Sequence, residues 1–146
     1  DEALASAIEG RGIAWFTEHW AAQPIFATQA TLSAATIAAI RDARLRNHPA
    51  GLAGSLRGAG QGVMPDLQPL LPSIRCPALF VTGSLDTRYG ALADVMAAAV
   101  SGARRLTVPA AGHNVHLERP EAFERALVEH LLPFASAAQA AARSSL

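Results

Sequence analysis

The chain has 146 residues, of which 51% are apolar, and its twelve basic and twelve acidic residues give a formal net charge of zero. This length and composition suit a single domain with a hydrophobic core, and the charge balance argues against a nucleic acid or an anionic membrane as a partner held by bulk electrostatics. No apolar run approaches the roughly 20 residues of a membrane span, and the chain starts with two acids where a signal peptide is basic, so we expect a cytoplasmic protein.

The first half of the chain has the periodicity of helices. Apolar residues recur at helical spacing over three stretches, residues 3–22, 32–46 and 49–56. Gly10 and Gly12 should break the first helix, Thr31 is a suitable N-cap for the second, and Pro49 suits the first turn of the third. Helices without a strand between them predict a helical lid, or cap, over residues 1–72, with its last part returning to the core.

From residue 73 onward the pattern changes to strands that alternate with helices. The short continuous apolar run from Pro77 to Thr82 is typical of a strand buried on both faces of a parallel sheet, and a second run, Arg104 to Pro109, indicates another strand. Cys76 is the only cysteine, which excludes an intrachain disulfide, and we expect it to be a small core residue. The sequence predicts that residues 73–146 form a β-α-β-α part of an α/β core, followed by a short Ala-rich tail. The predicted elements are strand 76–82, helix 89–100, strand 104–108 and helix 119–132.

A polar side chain follows each predicted strand. Asp86 comes after the first strand and His113 after the second, and parallel strands release such residues at one edge of the sheet. A histidine held by an acid can act as a general base, and Gly112 allows the tight turn that this needs. The alternative is a loop histidine that caps a helix. Glu118 and Asp94 are competing acids, but we expect both on helices away from the sheet edge.

Other polar residues near these positions allow more than one interpretation. His116 should brace the loop by hydrogen bonding, and a metal pair with His113 lacks a third ligand nearby, so we expect neither a metal nor a cofactor. Arg88 could bind an anionic substrate or could be an exposed arginine at a helix start. Arg44 and Arg46 lie near a helix end, where the default role is interaction with the terminal carbonyl groups.

A strand followed by Gly-x-x-Asp, then a strand followed by x-x-Gly-His, resembles the C-terminal half of the α/β-hydrolase fold. An acid that precedes the histidine along the chain is the order of the last two triad members in that fold. The sequence contains no G-x-S-x-G motif. We therefore expect the serine nucleophile, and the N-terminal half of the fold that completes the sheet, on a segment outside this chain, which a second chain could supply.

The chain also resembles the 2-succinyl-6-hydroxy-2,4-cyclohexadiene-1-carboxylate synthase family of menaquinone biosynthesis. The resemblance covers residues 20–134, and its segments in the first half are more specific than the triad motifs. The matching segments are Trp20 to Phe26, Arg44 to Asn47, Gly51 to Arg57, Gly60 to Pro65, Gly83 to Tyr89 and Ala111 to His116.

In that family a Ser-His-Asp triad takes a proton from the substrate and expels pyruvate, while arginines and a tryptophan under the lid hold the carboxylates. The resemblance implies that Asp86 and His113 are triad members. It also implies a set of contacts to a small anionic polycarboxylate substrate: Trp20, Arg44, Arg88 and, as a weaker match, Arg57. The protein would then be a carbon-oxygen lyase, and this portion alone should be inactive.

Two other functions are compatible with the sequence. One is a carboxylic-ester or carbon-carbon hydrolase of the same fold, because a fold does not fix function. Arginines that line a pocket would favour the synthase, whereas an apolar pocket with Arg44 and Arg88 facing solvent would favour the hydrolase. The other is a non-catalytic truncated product that acts as an interaction module, without a partner that carries the serine.

Overall fold

The computed structural model divides the chain into two compact units, Asp1–Pro69 and Leu70–Leu146. It describes the backbone of residues 1–144 and the side chains of residues 1–135. The division falls close to the boundary that the sequence predicts at residue 72. Over the described part of the chain, no helix combines the length and the apolar character needed to cross a membrane.

The first unit is helical. Helix α1 bends at Gly12, whose φ of 80° is left-handed, so the predicted break in the first helix is confirmed. Its buried residues Ala5, Ile8 and Phe16 form the core of the unit together with Ala53. The elements of this unit are α1 (Glu2–Ala21), a 3-10 helix (Pro24–Thr31), α2 (Ala34–Leu45) and α3 (Pro49–Ala59).

The N-cap predicted for the second helix is wrong. Helix α2 is capped by Ser33, whose Oγ accepts a hydrogen bond from the backbone N–H of Thr36 at 3.1 Å. Thr31 instead ends the preceding 3-10 helix, and its hydroxyl donates to the carbonyl of Thr28 at 2.9 Å. The sequence allowed either residue as the cap, because serine and threonine both favour this position.

The second unit contains a parallel two-stranded sheet. Its strands pair in register from Leu79 opposite Arg104 to Gly83 opposite Val108, which confirms the predicted parallel pairing. The helix between the strands provides the crossover that such a pair requires. The elements are β1 (Leu79–Gly83), α4 (Thr87–Ala99), β2 (Arg104–Val108), α5 (Val115–Glu118) and α6 (Pro120–Ser144), and a 3-10 helix (Gln68–Ser73) includes the residues at which the chain passes from the first unit to the second.

Three expectations for this unit need correction. The first strand begins at Leu79 rather than at residue 76, so Cys76 lies before the strand and is exposed. Four of the five residues of β1 are only partly buried rather than buried on both faces, because β2 is the single neighbour of this strand within the described residues. Helix α6 continues past residue 132 to Ser144, and residues 145–146 of the Ala-rich tail lie outside the described residues.

The core of this unit fixes the chain that follows β2. Val108, Ala111 and Val115 form one buried cluster, and Val81 and Phe123 pack against it. The cluster therefore contains residues on both sides of the loop that carries His113. Burial of these side chains holds the ends of the loop against the sheet and against α6.

Candidate active site

Asp86 is fixed by the turn that joins β1 to α4. The N–H of Ser84 donates to the carbonyl of Val108 at 2.9 Å, and the N–H of Asp86 donates to the carbonyl of Gly83 at 3.1 Å. Asp86 is the N-cap of α4, and its Oδ1 accepts a hydrogen bond from the N–H of Tyr89 at 3.1 Å. One carboxylate oxygen is therefore used to start the helix, which leaves Oδ2 for another partner.

The loop after β2 is tied to the same turn. The N–H of Ala110 donates to Oγ of Ser84 at 2.9 Å, and the N–H of Leu85 donates to the carbonyl of Ala111 at 2.9 Å. Ala110 has a φ of 52°, a left-handed conformation that turns the chain sharply after the strand. These contacts bring His113 back over the carboxyl ends of the two strands.

Asp86 and His113 form a short hydrogen bond, 2.7 Å between Oδ2 and Nδ1. The expectation that the two strands release these side chains at one edge of the sheet is confirmed. The Asp86 side chain is 9% exposed and the His113 side chain 27%, and the ring of Tyr89 meets the imidazole edge-on at 4.7 Å between centroids. When Nδ1–H donates to Asp86, Nε2 is the nitrogen that can accept a proton.

Gly83 lies where the loop passes closest to the sheet. It is the last residue of β1 and is buried, and a Cβ at this position would meet the carbonyl oxygens of Ala111 and Gly112. The neighbouring atoms are backbone atoms, so they cannot move aside without moving the loop. A residue without a Cβ is what permits the loop to approach the strand this closely.

We expect Gly83→Ala to lower the free energy of unfolding by about 1–3 kcal/mol, because the added methyl group overpacks this contact. Gly90→Ala is the matched control, since a Cβ there would meet only the end of the Arg105 side chain at 3.7 Å. Denaturant unfolding of both variants measures the effect. Equal stability of the two variants would show that the loop is not packed against Gly83 in this way.

Two acids compete with Asp86 in the sequence, and the structure separates them. Asp94 lies on α4 and pairs with Arg105 at 2.9 Å, away from His113 as expected. Glu118 does not lie away from the sheet edge, so that expectation is wrong. Its Oε2 accepts from the N–H of Gly112 at 2.7 Å and its Oε1 from the N–H of Asn114 at 3.3 Å, because the single turn of α5 points the side chain back at the loop.

His116 does not brace the loop by a hydrogen bond among the described residues; it is exposed and lies against the ring of Phe123 at 6.0 Å between centroids. Glu118 has that role instead. The only sequence signal for it was an acid a few residues after His113, which does not show that the carboxylate turns back to the loop. No group of three or more His, Cys, Asp or Glu that could hold a metal ion occurs within the part of the chain that the structure describes.

The cations implied as substrate contacts have different surroundings. Arg88 lies in the first turn of α4 and is exposed. Arg57 pairs with Glu2 at 2.9 Å and with Glu9 at 2.8 Å, and these hydrogen bonds lower the pKa of both carboxyl groups and raise the pKa of Arg57. Arg57 therefore links α3 to α1, and this pairing does not favour a role in substrate binding.

Arg44 lines a cavity of about 280 Å³ that lies within the first unit. Burial lowers the pKa of the Arg44 guanidinium, whose Cζ lies 5.6 Å from the centre of the Phe26 ring. The cavity wall is mainly apolar and also includes two polar side chains whose buried atoms, Thr17 Oγ1 and Gln29 Nε2, have no hydrogen-bond partner among the described residues. The cavity thus combines apolar surface with a partly buried cation and polar groups.

Trp20 is not part of the wall of this cavity. Its ring packs on Phe16 at 5.6 Å and on Phe26 at 5.9 Å between centroids. Since Phe26 does line the cavity, Trp20 packs against a residue of the wall without lining the cavity itself. The resemblance implies a substrate contact for Trp20, whereas within this unit the described contacts of its ring are with other aromatic side chains.

Curated relatives with similar sequences share one name. The chain is 35% identical over 131 residues to a protein of Bacillus subtilis (strain 168) assigned as 2-succinyl-6-hydroxy-2,4-cyclohexadiene-1-carboxylate synthase. The matched region covers 90% of the chain and 48% of that protein. It is 33% identical over 132 residues to the synthase of the same name from Serratia proteamaculans (strain 568). This match covers 90% of the chain and 49% of that synthase. The chain thus spans about half the length of the curated relatives it matches.

Solved structures give the same result at the level of the fold. MenH from S. aureus superimposes with a TM-score of 0.89 at 30% identity, over 90% of this chain and 50% of that one. A thermophilic esterase from Thermogutta terrifontis superimposes with a TM-score of 0.75 at 25% identity, over 90% of this chain and 48% of the esterase chain. No protein-family model matches the chain. The chain therefore belongs to the α/β-hydrolase fold family, has the fold of the C-terminal half of such a protein, and is a relative of the 2-succinyl-6-hydroxy-2,4-cyclohexadiene-1-carboxylate synthases.

Proposed function

We propose that this chain is the C-terminal portion of a lyase that eliminates pyruvate from a cyclohexene carboxylate intermediate of menaquinone biosynthesis. The observation that carries the proposal is the 2.7 Å contact between Asp86 and His113, found at matching motifs in a chain that is 35% identical to a synthase relative. The complete fold, with the segment that supplies a triad serine, is referred to below as the intact protein.

In the proposed mechanism His113 is the base. The hydrogen bond from Nδ1 to Asp86 fixes the tautomer, so that Nε2 takes the proton, directly or through the serine hydroxyl, as the substrate is deprotonated. The carboxylate of Asp86 then stabilises the imidazolium. The electrons of the broken C–H bond form a new double bond while the C–O bond to the leaving group breaks, and the proton ends on the released pyruvate.

Arg44 is the proposed contact to a substrate carboxylate. A guanidinium that has lost part of its hydration gains from a carboxylate partner, and its planar donors match a carboxylate in a two-point contact. Thr17 and Gln29 offer a hydroxyl and an amide in the same cavity. Arg88 is a second candidate cation because it follows the triad acid in the first turn of α4, and Trp20 supports the aromatic wall near Arg44.

We expect Arg44→Ala in the intact protein to raise KM about 10- to 100-fold, because a charged hydrogen bond to the substrate is lost. The effect on kcat should be smaller, since a carboxylate contact acts in the ground state and in the transition state alike. Arg46→Ala is the matched control, because Arg46 is exposed at the end of the same helix. A KM for Arg44→Ala equal to that of the control would exclude the proposed contact.

A comparison of two substrate classes tests the proposed activity. The intact protein is given the cyclohexene carboxylate intermediate and, separately, a neutral carboxylic ester of similar size. We expect rapid pyruvate release from the first and little cleavage of the second. Preferential ester cleavage would favour the hydrolase alternative, since an esterase has a similar fold. Turnover of neither compound would favour a non-catalytic protein.

A further inference from the structure

We propose that Glu118 is a positioning residue that sets the orientation of His113. Its carboxylate bridges the two backbone amides on either side of the histidine, with Oε2 2.7 Å from the nitrogen of Gly112 and Oε1 3.3 Å from the nitrogen of Asn114. A single side chain thereby holds the backbone N–H groups of the two residues that flank His113. The inference rests on the proposed function only in taking His113 as the group that moves the proton.

The burial of Glu118 indicates that these contacts matter to the protein. Glu118 is only 6% exposed and is one of the few buried polar residues in the described part of the chain. A carboxylate out of water is stable only when hydrogen bonds replace its hydration. Here the partners are two backbone N–H groups, which are strong charge-assisted donors.

The position of the loop explains why a brace is needed at this point. The amide of Ala110 and the carbonyl of Ala111 are already tied to the turn after β1, but those contacts precede His113. The contacts of Glu118 act on the amide before and the amide after the histidine. Together they hold the backbone on both sides of His113, which determines where the ring meets Oδ2 of Asp86.

The test uses Glu118→Gln in the intact protein. Glutamine keeps the size and one acceptor oxygen, but its NH₂ group must face one of the two amide donors, so one contact is lost. We expect kcat to fall on the order of 10²-fold with KM unchanged, as for a small misplacement of a reacting group. Glu121→Gln is the control, because Glu121 is exposed in the first turn of α6, and it should leave both constants unchanged.

Nuclear magnetic resonance of the His113 ring gives a readout that does not depend on activity. We expect the Nδ1 proton in the hydrogen bond to Asp86 to shift or broaden in Glu118→Gln and to stay unchanged in Glu121→Gln. A change of the ring signals without any measured turnover would support the positioning role while rejecting the proposed function. A folded Glu118→Gln protein with unchanged ring signals and kcat would overturn the inference, as would lost stability alone with unchanged ring signals.

A measurement on the unsubstituted protein covers the case in which the variant does not fold. A scalar coupling through the hydrogen bond should connect the amide nitrogen of Gly112 to the side-chain carboxylate carbon of Glu118. Detection of this coupling supports the brace. Its absence, in a sample where couplings across the neighbouring backbone hydrogen bonds are seen, overturns the inference.

Discussion

We expect His113→Ala in the intact protein to lower kcat by on the order of 10³ or more. Nε2 of His113 is the proposed proton acceptor, and its ring is held by Asp86 at 2.7 Å. No other basic side chain is held in this way at the carboxyl ends of the strands in the described residues, so the protein has no substitute for the base. Steady-state assays of pyruvate release, with circular dichroism to confirm folding, measure the effect.

His116→Ala is the control for this substitution. His116 lies three residues further on, is exposed and contacts Phe123 rather than Asp86, so its removal should change kcat less than about threefold, within the small effects usual at such surface sites. If both variants lost activity equally, the loop as a whole rather than the His113 imidazole would be responsible.

We expect Asp86→Asn to lower kcat nearly as much as loss of the histidine does, by a factor on the order of 10³ to 10⁴. The amide NH₂ of asparagine can face Nδ1 and so favours the tautomer with its proton on Nε2, which cannot accept the substrate proton. Asparagine remains a good N-cap, so the contact to the N–H of Tyr89 can persist and α4 should stay folded. The substitution therefore separates the role in catalysis from the role in the fold.

Asp94→Asn provides the control, since Asp94 pairs with Arg105 on the outer part of α4 and is exposed. Unfolding measurements on both variants should give similar stabilities. An Asp86→Asn protein that is folded and keeps more than a tenth of the kcat of the unsubstituted protein would be incompatible with a tautomer held by Asp86.

The position of the Asp86–His113 pair could be predicted because it depends on local patterns. The first strand is a short apolar run that ends at a glycine, the second ends at a proline, and a polar residue follows each by a few positions. Parallel pairing then places the two residues at one edge. The pair also needed no long side chain in a particular conformation, since the backbone of two turns brings it together.

Contacts that depend on long-range packing could not be predicted. Arg57 matched a family segment, but its pairing with Glu2 and Glu9 joins two helices that are far apart in the sequence. Helical periodicity identified the face of each helix and not its neighbour. The same limit applies to Glu118, because only the path of the loop shows that its carboxylate reaches Gly112 and Asn114.

The role of Arg44 could be predicted only as one of two alternatives. Its position near the end of a helix predicted an interaction with the terminal carbonyl groups as the default, and the family resemblance implied a substrate contact. The structure places it over the Phe26 ring at the wall of a cavity. Composition could not distinguish these roles, because the choice depends on how α2 packs beside the 3-10 helix.

A single-turnover experiment tests the proposed role of the Asp86–His113 pair most directly. An excess of the intact protein is mixed with the cyclohexene carboxylate intermediate, and bound substrate and free pyruvate are quantified over time. We predict that the unsubstituted protein releases one pyruvate per substrate bound, whereas His113→Ala binds the substrate equally well and leaves it unreacted. Conversion of the bound substrate by His113→Ala at the rate of the unsubstituted protein would contradict the account.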